Sequence, residues 1–210
     1  MNPGLFITFE GIEGSGKSTQ LRRLAEHVMG LGRAVVCTRE PGGTRTGDRI
    51  RAILLDPQLG ELEPVTEMLL FASGRAQHVR ELLRPALKRG DVVLCDRYLH
   101  SSLAYQAWAR ELGTEQVMAA NASAIDGLLP DLVLLLDLTV PRAFARAEAR
   151  GSLDRIEQAG PQFHEAVRQG FHAELAADPS RFALIDADQP ADAVFGDVLD
   201  AVTSRFGALA

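Results

Sequence analysis

Residues 11–18 read Gly-Ile-Glu-Gly-Ser-Gly-Lys-Ser, and they come one residue after the apolar run at residues 5–9. Beyond them, apolar side chains recur at helical spacing up to residue 31. A glycine-rich loop between a strand and a helix can turn its backbone N–H groups toward phosphate oxygens, and the helix dipole adds positive potential. The sequence therefore predicts a binding site for a nucleoside triphosphate.

The spacing within this loop assigns roles to individual residues. Lys17 is expected to reach the β- and γ-phosphates, and the hydroxyl of Ser18 is placed for Mg²⁺. Glycines let the backbone approach a ligand where a side chain would collide with it. The predicted triphosphate-binding residues are Gly11, Ile12, Glu13, Gly14, Ser15, Gly16, Lys17, Ser18 and Thr19.

The composition is that of an ordinary globular protein, since 46% of the 210 residues are hydrophobic and 24% are charged. This length predicts a single α/β domain over residues 1–210. The net charge of −6 argues against non-specific nucleic-acid binding, which needs a basic surface. No apolar run approaches the ~20 residues of a membrane span, and the N-terminus lacks a signal-peptide pattern. We therefore expect a cytoplasmic protein.

Short apolar runs alternate with stretches of helical spacing along the chain. The runs lie at residues 5–9, 34–37, 92–95, 132–136 and 182–185, and the helical stretches at 17–31, 46–55, 64–89, 101–110, 115–127, 141–150, 161–177 and 191–206. Continuous apolar runs fit strands buried on both faces of a parallel sheet. We predict an α/β fold with a doubly wound, five-stranded parallel sheet and helices on both faces. Cys37 and Cys95 lie within such runs, and we expect both to be buried, reduced thiols.

Ligands of such sheets bind at the carboxyl ends of the strands, so the residues that follow the strands are the informative ones. Arg39 follows the second strand and precedes a turn predicted by Pro41 and Gly42, which places it among the candidate phosphate-binding residues. Asp96 and Arg97 follow the third strand. A carboxylate there commonly reaches the metal, and an arginine offers a planar fork to a second phosphate.

Two helical segments carry further candidates. Phe71 and Arg75 are four residues apart and share one helical face, where an aromatic plane and a guanidinium could stack a base and donate to its carbonyl. Taken alone, this pair is more typical of a buried helix face.

A run of arginines lies at residues 142, 146 and 150, and Arg155 follows Gly151. A solvated helix face is the ordinary interpretation of such a run. The segment around Gly151 could instead be a mobile flap that carries an arginine to a transferring phosphoryl group.

Taken together, these segments resemble thymidylate kinase, within the nucleoside monophosphate kinases. The resemblance rests on residues 9–20, 38–44, 71–75, 96–98, 102–106 and 150–157, which occur in family order and span most of the chain. It implies a P-loop kinase fold with a lid near residues 142–157, and transfer of the γ-phosphoryl group of ATP to dTMP with Mg²⁺. It also implies a homodimer paired through helices.

The resemblance implies a base-binding role for three residues. Phe71 would stack on the thymine, Arg75 would donate to its O4, and Ser102 would lie near its N3 edge. The family often has Asn or Thr at the position of Ser102.

Other matched residues would bind the sugar and the phosphates. Arg39 and Arg97 would hold the acceptor phosphate, Tyr105 would pack against the deoxyribose, and Glu13 would lie near the sugar and the acceptor phosphate. Asp96, with Ser18, would hold the metal.

The catalytic charge would come from Lys17, Arg97 and the lid. Some family members have an arginine in the phosphate-binding loop at the position of Gly14. Those that lack it resemble the bacterial branch, which supplies lid arginines instead, and here these match Arg150 and Arg155.

Two alternatives stay open at this point. A related kinase acting on another pyrimidine monophosphate would share these motifs, since the 5-methyl group of thymine contributes only about 1–3 kcal/mol to discrimination in a pocket. A GTPase switch would also share the phosphate-binding loop. However, the chain has no Asn-Lys-x-Asp guanine signature, because its asparagines are Asn2 and Asn121.

Overall fold

The computed structural model describes residues 4–148 and 154–207, except for the side chains of residues 147 and 148. The strands are β1 (Leu5–Glu10), β2 (Val35–Arg39), β3 (Val92–Asp96), β4 (Leu132–Asp137) and β5 (Phe182–Asp186). All of them pair in parallel, in the order β2-β3-β1-β4-β5. This arrangement confirms the predicted five-stranded parallel sheet.

The α-helices cover most of the chain between the strands. They are α1 (Lys17–Gly30), α2 (Arg45–Leu55), α3 (Pro64–His78), α4 (Arg84–Arg89), α5 (Leu99–Ser102), α6 (Thr114–Ile125), α7 (Val140–Glu148), α8 (Pro161–Ala177) and α9 (Ala191–Phe206). A short 3₁₀ turn at Glu157–Ala159 precedes α8. None of the helices in the described ranges is long and apolar enough to span a bilayer.

Side chains of the central strand β1 point alternately to the two faces of the sheet. Ile7 and Phe9 are buried in one core cluster with Leu24 of α1, and Phe6 is buried in the other with Leu83. Alternation along a strand produces these two faces, so helices are needed on both sides to cover the sheet. The exposed side chain of Cys37 differs from the prediction, because β2 is an edge strand.

Two helical stretches contain π-helical turns that the sequence pattern does not predict. The first, Val79–Leu83, joins α3 to α4 just before Pro85, which has no N–H to donate to the preceding turn. The second, Leu103–Ala109, continues α5, and the N–H of Arg110 bonds back to the carbonyl of Tyr105. Because π-turns shift the side chains that follow, they often lie at functional sites.

The strand register brings the candidate residues to one edge of the sheet. Asp96 is opposite Phe9 on one side and opposite Arg39 on the other. The phosphate-binding loop, Arg39 and Asp96 therefore share the carboxyl edge of the sheet, as predicted.

Candidate active site

Two adjoining cavities open at the carboxyl edge of the sheet. The inner cavity is lined by Phe71, Arg75, Ser102 and Tyr105 among others, and the loop cavity by residues of the segment 13–19 with Asp96. The residues that line both cavities are Glu13, Glu40, Arg51, Arg97 and Asp154. Two ligands bound side by side would therefore meet at these charged residues.

The loop between β1 and α1 needs glycine at positions where the backbone is closely approached. Gly11 has φ +132°, and a Cβ there would collide with the carbonyl oxygen of Leu136. Gly14 has φ +80°, and its Cβ would lie 2.5 Å from the carbonyl oxygen of Ala143. Gly16 is the N-cap residue of α1, and a Cβ added there would have no neighbour within 4 Å. The loop is thus packed against β4 and α7, with open space before the helix N-terminus.

Lys17 is folded back onto this loop. Its Nζ donates to the carbonyl oxygens of Gly11 at 2.9 Å and Ile12 at 2.8 Å, with Ser15 Oγ at 3.4 Å. Burial lowers the pKa of Lys17 to about 8, with a further contribution from the positive charge of Arg97. A phosphate in the loop cavity would add negative charge beside this buried ammonium group and raise its pKa.

Ser18 and Asp96 lie together, although 78 residues separate them in the sequence. The Ser18 hydroxyl donates to Asp96 Oδ2 at 2.5 Å. A hydroxyl and a carboxylate are the oxygen ligands that Mg²⁺ prefers, and this ion usually completes its shell with waters and substrate phosphates. Two protein oxygens leave the other positions of an octahedral Mg²⁺ shell to waters and to a bound nucleotide.

Arg97, Glu13 and Tyr105 form a second group where the two cavities meet. Arg97 Nη2 donates to Glu13 Oε1 at 2.5 Å, and the Tyr105 hydroxyl donates to Glu13 Oε2 at 2.6 Å. Burial alone would raise the pKa of Glu13, but Arg97, Lys17 and the Tyr105 hydroxyl hold it at about 2. Arg97 also donates to Ser101 Oγ at 3.1 Å, and its backbone has a left-handed φ of 72°. The guanidinium is thus fixed in position at the boundary between the cavities.

Arg75 lies at the base of the inner cavity and is 1% exposed. Its Nε donates to Glu40 Oε2 at 2.8 Å, Nη1 to Ser102 Oγ at 3.0 Å and Nη2 to the carbonyl of Tyr98 at 3.0 Å. Nη1 also bonds to Asn121 Oδ1. Since a guanidinium has five N–H groups, one on Nη2 is left for a ligand.

Phe71 is half-buried against the core and lines the same cavity as Arg75. The structure thus brings the predicted base-binding residues together with Ser102 and Tyr105. Arg39, in contrast, is exposed at the rim of the loop cavity, where its closest carboxylate is Asp48 at 3.9 Å.

Arg155 lies outside the inner cavity and the loop cavity. Its Nη2 donates to the buried carboxylate of Glu67 at 2.6 Å, and its Nε donates to the carbonyl of Leu54 at 2.8 Å. This placement differs from the predicted one at a transferring phosphoryl group, because two buried acceptors hold the guanidinium against α2 and α3. Arg150, the other predicted lid arginine, lies outside the described residues.

Of the five residues that line both cavities, three are not among the predicted site residues. Arg51 lines both cavities and donates to the carbonyl of Pro41 at 3.0 Å. Glu40 is buried beside Arg75, and Asp154 lines both cavities. Two sequence features point to these residues, namely the charge cluster around Arg51 and the position of Glu40 directly after β2. Neither feature indicates which cavity a side chain reaches.

Comparisons with known proteins match the chain to one family. Residues 9–198 match the family model described as thymidylate kinase. The chain is 50% identical over 205 residues to a thymidylate kinase of Deinococcus radiodurans, covering 98% of this chain and 99% of that protein. It is 48% identical over 202 residues to a thymidylate kinase of Exiguobacterium sp., covering 96% and 95%. It is also 51% identical over 187 residues to one of Pseudomonas fluorescens, covering 89% of each.

Proposed function

Because the chain belongs to the thymidylate kinase family, we propose that it transfers the γ-phosphoryl group of ATP to dTMP, giving dTDP and ADP. The observation that carries this proposal is the pair of cavities that meet at Glu13 and Arg97. A phosphoryl transfer needs two phosphate groups aligned in line and their charge neutralised, with little covalent chemistry. Two adjoining sites with an arginine at their boundary meet that need.

We assign the loop cavity to ATP. The backbone of residues 11–19 would surround its phosphates, and Lys17 would exchange the loop carbonyls for phosphate oxygens. The lowered pKa of Lys17 supports this exchange. Burial disfavours the charged ammonium, and the negative charge of a phosphate would stabilise it. Ser18 and Asp96 would hold Mg²⁺, which neutralises charge on the transferring phosphates when bound.

We assign the inner cavity to dTMP. Phe71 would stack on the base, and the remaining N–H of Arg75 would donate to O4 of thymine. Cytosine has an amino group at that position, so an arginine there discriminates against it. Ser102 Oγ accepts an Arg75 N–H at 3.0 Å, and its second lone pair would be free to accept from N3–H of thymine.

The sugar and the acceptor phosphate would lie between the base and ATP. Tyr105 is 5% exposed, and its ring packs edge-on against Phe163 and Phe171, which makes it a rigid wall for the deoxyribose. Arg97 and Arg39 would bind the acceptor phosphate, and Glu13, paired with Arg97, would orient that arginine.

A lid over residues 142–157 would exclude water and complete the charge neutralisation. Arg155 would take part only by leaving Glu67. Arg146 already lines the loop cavity, with Nη1 at 3.4 Å from the carbonyl of Gly14. We therefore assign the lid charge to Arg150 or Arg146 ahead of Arg155.

The proposed assembly is a homodimer paired through helices, and the proposed location is the cytoplasm. Exposed apolar side chains support the pairing, since Val65 and Leu69 are one turn apart on α3 and Ile53 is exposed on α2, which packs against it. The molecular mass in solution tests this point.

A coupled ATP assay across dTMP, dUMP, UMP, dCMP and AMP tests the proposed activity. We expect dTMP to have the highest kcat/KM, with dUMP lower by roughly 10- to 200-fold for the missing methyl group. Turnover that favours AMP, or that does not depend on the acceptor, would contradict the proposal. A preference for dUMP or UMP would instead indicate a kinase of another pyrimidine monophosphate.

A further inference from the structure

A series of hydrogen bonds connects β2 to Arg75, which lines the inner cavity. Thr38 Oγ1 lies 2.7 Å from His78 Nε2, and His78 Nδ1 lies 2.9 Å from Glu40 Oε1. The other carboxylate oxygen of Glu40 accepts from Arg75 Nε at 2.8 Å. His78 is 0% exposed and Glu40 is 5% exposed, so water does not compete for these bonds.

The chemistry of the groups gives these bonds a direction. A carboxylate oxygen can only accept a hydrogen bond, so Nδ1 of His78 carries a hydrogen and donates it to the bond with Glu40. In the neutral ring, Nε2 is then the acceptor, and the hydroxyl of Thr38 donates to it. Each oxygen of Glu40 therefore has one donor, the imidazole on one side and the guanidinium of Arg75 on the other.

This arrangement controls where the guanidinium of Arg75 lies. Arg75 has four bonds to protein groups, and the one through Nε is its charged contact with Glu40. The other three bonds hold Nη1 and Nη2, so the remaining freedom of the guanidinium is at Nε, whose carboxylate acceptor could rotate if it were held by one donor alone. The bond from His78 removes that freedom, because it fixes the second oxygen.

His78 also joins two separate parts of the site. It lies three residues after Arg75 on the helix that carries Phe71. A Cβ on Gly43 would lie 2.5 Å from Thr38 Oγ1 and 2.7 Å from His78 Nε2, so the backbone of the loop after β2 packs directly on this pair. Arg39, the proposed phosphate-binding residue, is the last residue of β2 and directly precedes that loop. The imidazole of His78 thus lies between two parts of the proposed site. One is Arg75, proposed to bind the base, and the other is the loop after β2, proposed to bind the phosphate.

We propose that His78 is a positioning residue that acts through Glu40 to orient Arg75, and that it thereby sets the preference for a base with a carbonyl at position 4. The inference rests on the proposed function, because Arg75 reads a base only if the inner cavity binds a nucleotide. His78 itself lines neither cavity. An effect of its substitution on acceptor choice must therefore pass through a residue that it contacts, and Glu40 is the contact that lines the inner cavity and binds Arg75.

The test compares His78→Asn with His78→Leu. The amide nitrogen of Asn can replace Nδ1 as the donor to Glu40, whereas Leu fills a similar volume with no donor. We measure kcat and KM for dTMP and for dCMP, the KM for ATP and the thermal midpoint of each protein. We expect His78→Leu to raise the KM for dTMP about ten-fold, as for one lost hydrogen bond to a charged group, and to lower the dTMP:dCMP ratio of kcat/KM. The kcat at saturating dTMP and the KM for ATP should stay within a few-fold, and His78→Asn should recover most of the dTMP:dCMP ratio.

A purely structural role for His78 predicts a different pattern. His78→Leu would then leave the dTMP:dCMP ratio unchanged, or His78→Asn would be as impaired as His78→Leu, and either result would overturn the proposal. If His78→Leu does not fold, His78→Gln takes its place, because a longer amide points toward Thr38 and leaves Glu40 without its donor. Absence of activity on dTMP in the wild-type protein would instead overturn the proposed function. This outcome is distinct from failure of the His78 proposal, because it is seen without any variant.

Discussion

Glu67 and Arg155 form a salt bridge of 2.6 Å at the C-terminal end of the proposed lid segment, 88 residues apart in the sequence. Glu67 is 1% exposed and also accepts from Arg110 at 3.2 Å and from Gln106 at 3.0 Å. Burial would raise the pKa of Glu67, but its charged and polar donors, Arg110 foremost, lower it. One buried carboxylate thus joins this end of the proposed lid segment to α3 and to the π-helical turn that carries Tyr105.

From this contact we predict that Arg155→Ala destabilises the protein more than it slows the reaction. Removal of Arg155 leaves Glu67 with Arg110 and Gln106, so the cost is that of one hydrogen bond to a charged group, about 1.5–3 kcal/mol. Urea denaturation should show this loss of free energy of unfolding. We expect kcat of the folded variant to stay within about ten-fold, well short of the loss for an arginine that acts on a transferring phosphoryl group.

Arg110→Ala is the matched control, since it removes another donor to Glu67 without altering the lid. Both variants should lose stability. A loss of kcat on the order of 10³ in Arg155→Ala that Arg110→Ala does not share would show that Arg155 reaches the phosphoryl group, as in the mechanism of arginine fingers.

Arg75→Ala should weaken dTMP without weakening ATP. The variant removes the donor proposed for O4 of thymine and leaves Glu40 buried with His78 as its donor. The KM for dTMP should rise more than ten-fold, as for a lost bond to a charged donor, while the KM for ATP changes little. Asn121→Ala is the control, because it removes one acceptor of Arg75, keeps the guanidinium and lines neither cavity. Normal dTMP binding by Arg75→Ala would refute the assignment of the inner cavity to the base.

Tyr105→Ala should raise activity on ribothymidine monophosphate relative to dTMP, even as overall efficiency falls. The aromatic ring would otherwise crowd a 2′-hydroxyl and offer it no partner. Tyr105→Phe keeps the ring but loses the bond of the hydroxyl to Glu13 at 2.6 Å, so it should keep the preference for the deoxyribonucleotide. The measurement is kcat/KM for both acceptors in all three proteins. Equal ratios in wild type and Tyr105→Ala would mean that the sugar is selected elsewhere.

Binding of ATP should be coupled to proton uptake near pH 8. Lys17 has a pKa of about 8 in the structure, so about half of the molecules carry the proton at that pH. The negative charge of the phosphates raises this pKa, so binding takes up about half a proton at pH 8 and much less at pH 6.5. Calorimetry in buffers of different ionisation enthalpy measures the uptake. In Lys17→Arg the side chain stays charged at both pH 8 and pH 6.5, so the difference in proton uptake between the two pH values should disappear. If the wild type and the variant show the same difference, Lys17 is not its source.

The predictable part of the fold and site depends on short-range patterns. The strands at the phosphate-binding loop and around Asp96 could be predicted because each is a continuous apolar run followed by polar residues. The meeting of Ser18 and Asp96 follows in turn, since parallel strands place their carboxyl ends on one edge. The helix around Arg75 is predictable from its apolar spacing in the same way.

The parts that could not be predicted depend on pairing over long sequence distances. Glu40 could accept from several arginines, and the sequence does not indicate that Arg75 and His78 are its partners. The partner of Arg155 is likewise set by the packing of the C-terminal end of the proposed lid segment on α3. The π-helical turn at Tyr105 adds a local shift that apolar spacing does not encode.

The most direct test of the account follows labelled phosphate from [γ-³²P]ATP to dTMP in the presence of Mg²⁺, with wild type and Lys17→Ala compared at equal folded concentration. We predict that wild type forms labelled dTDP, and that Lys17→Ala forms it at least about 10²-fold more slowly with an unchanged circular dichroism spectrum. Label that appears only as inorganic phosphate, or equal rates of dTDP formation by the two proteins, would contradict phosphoryl transfer at this site.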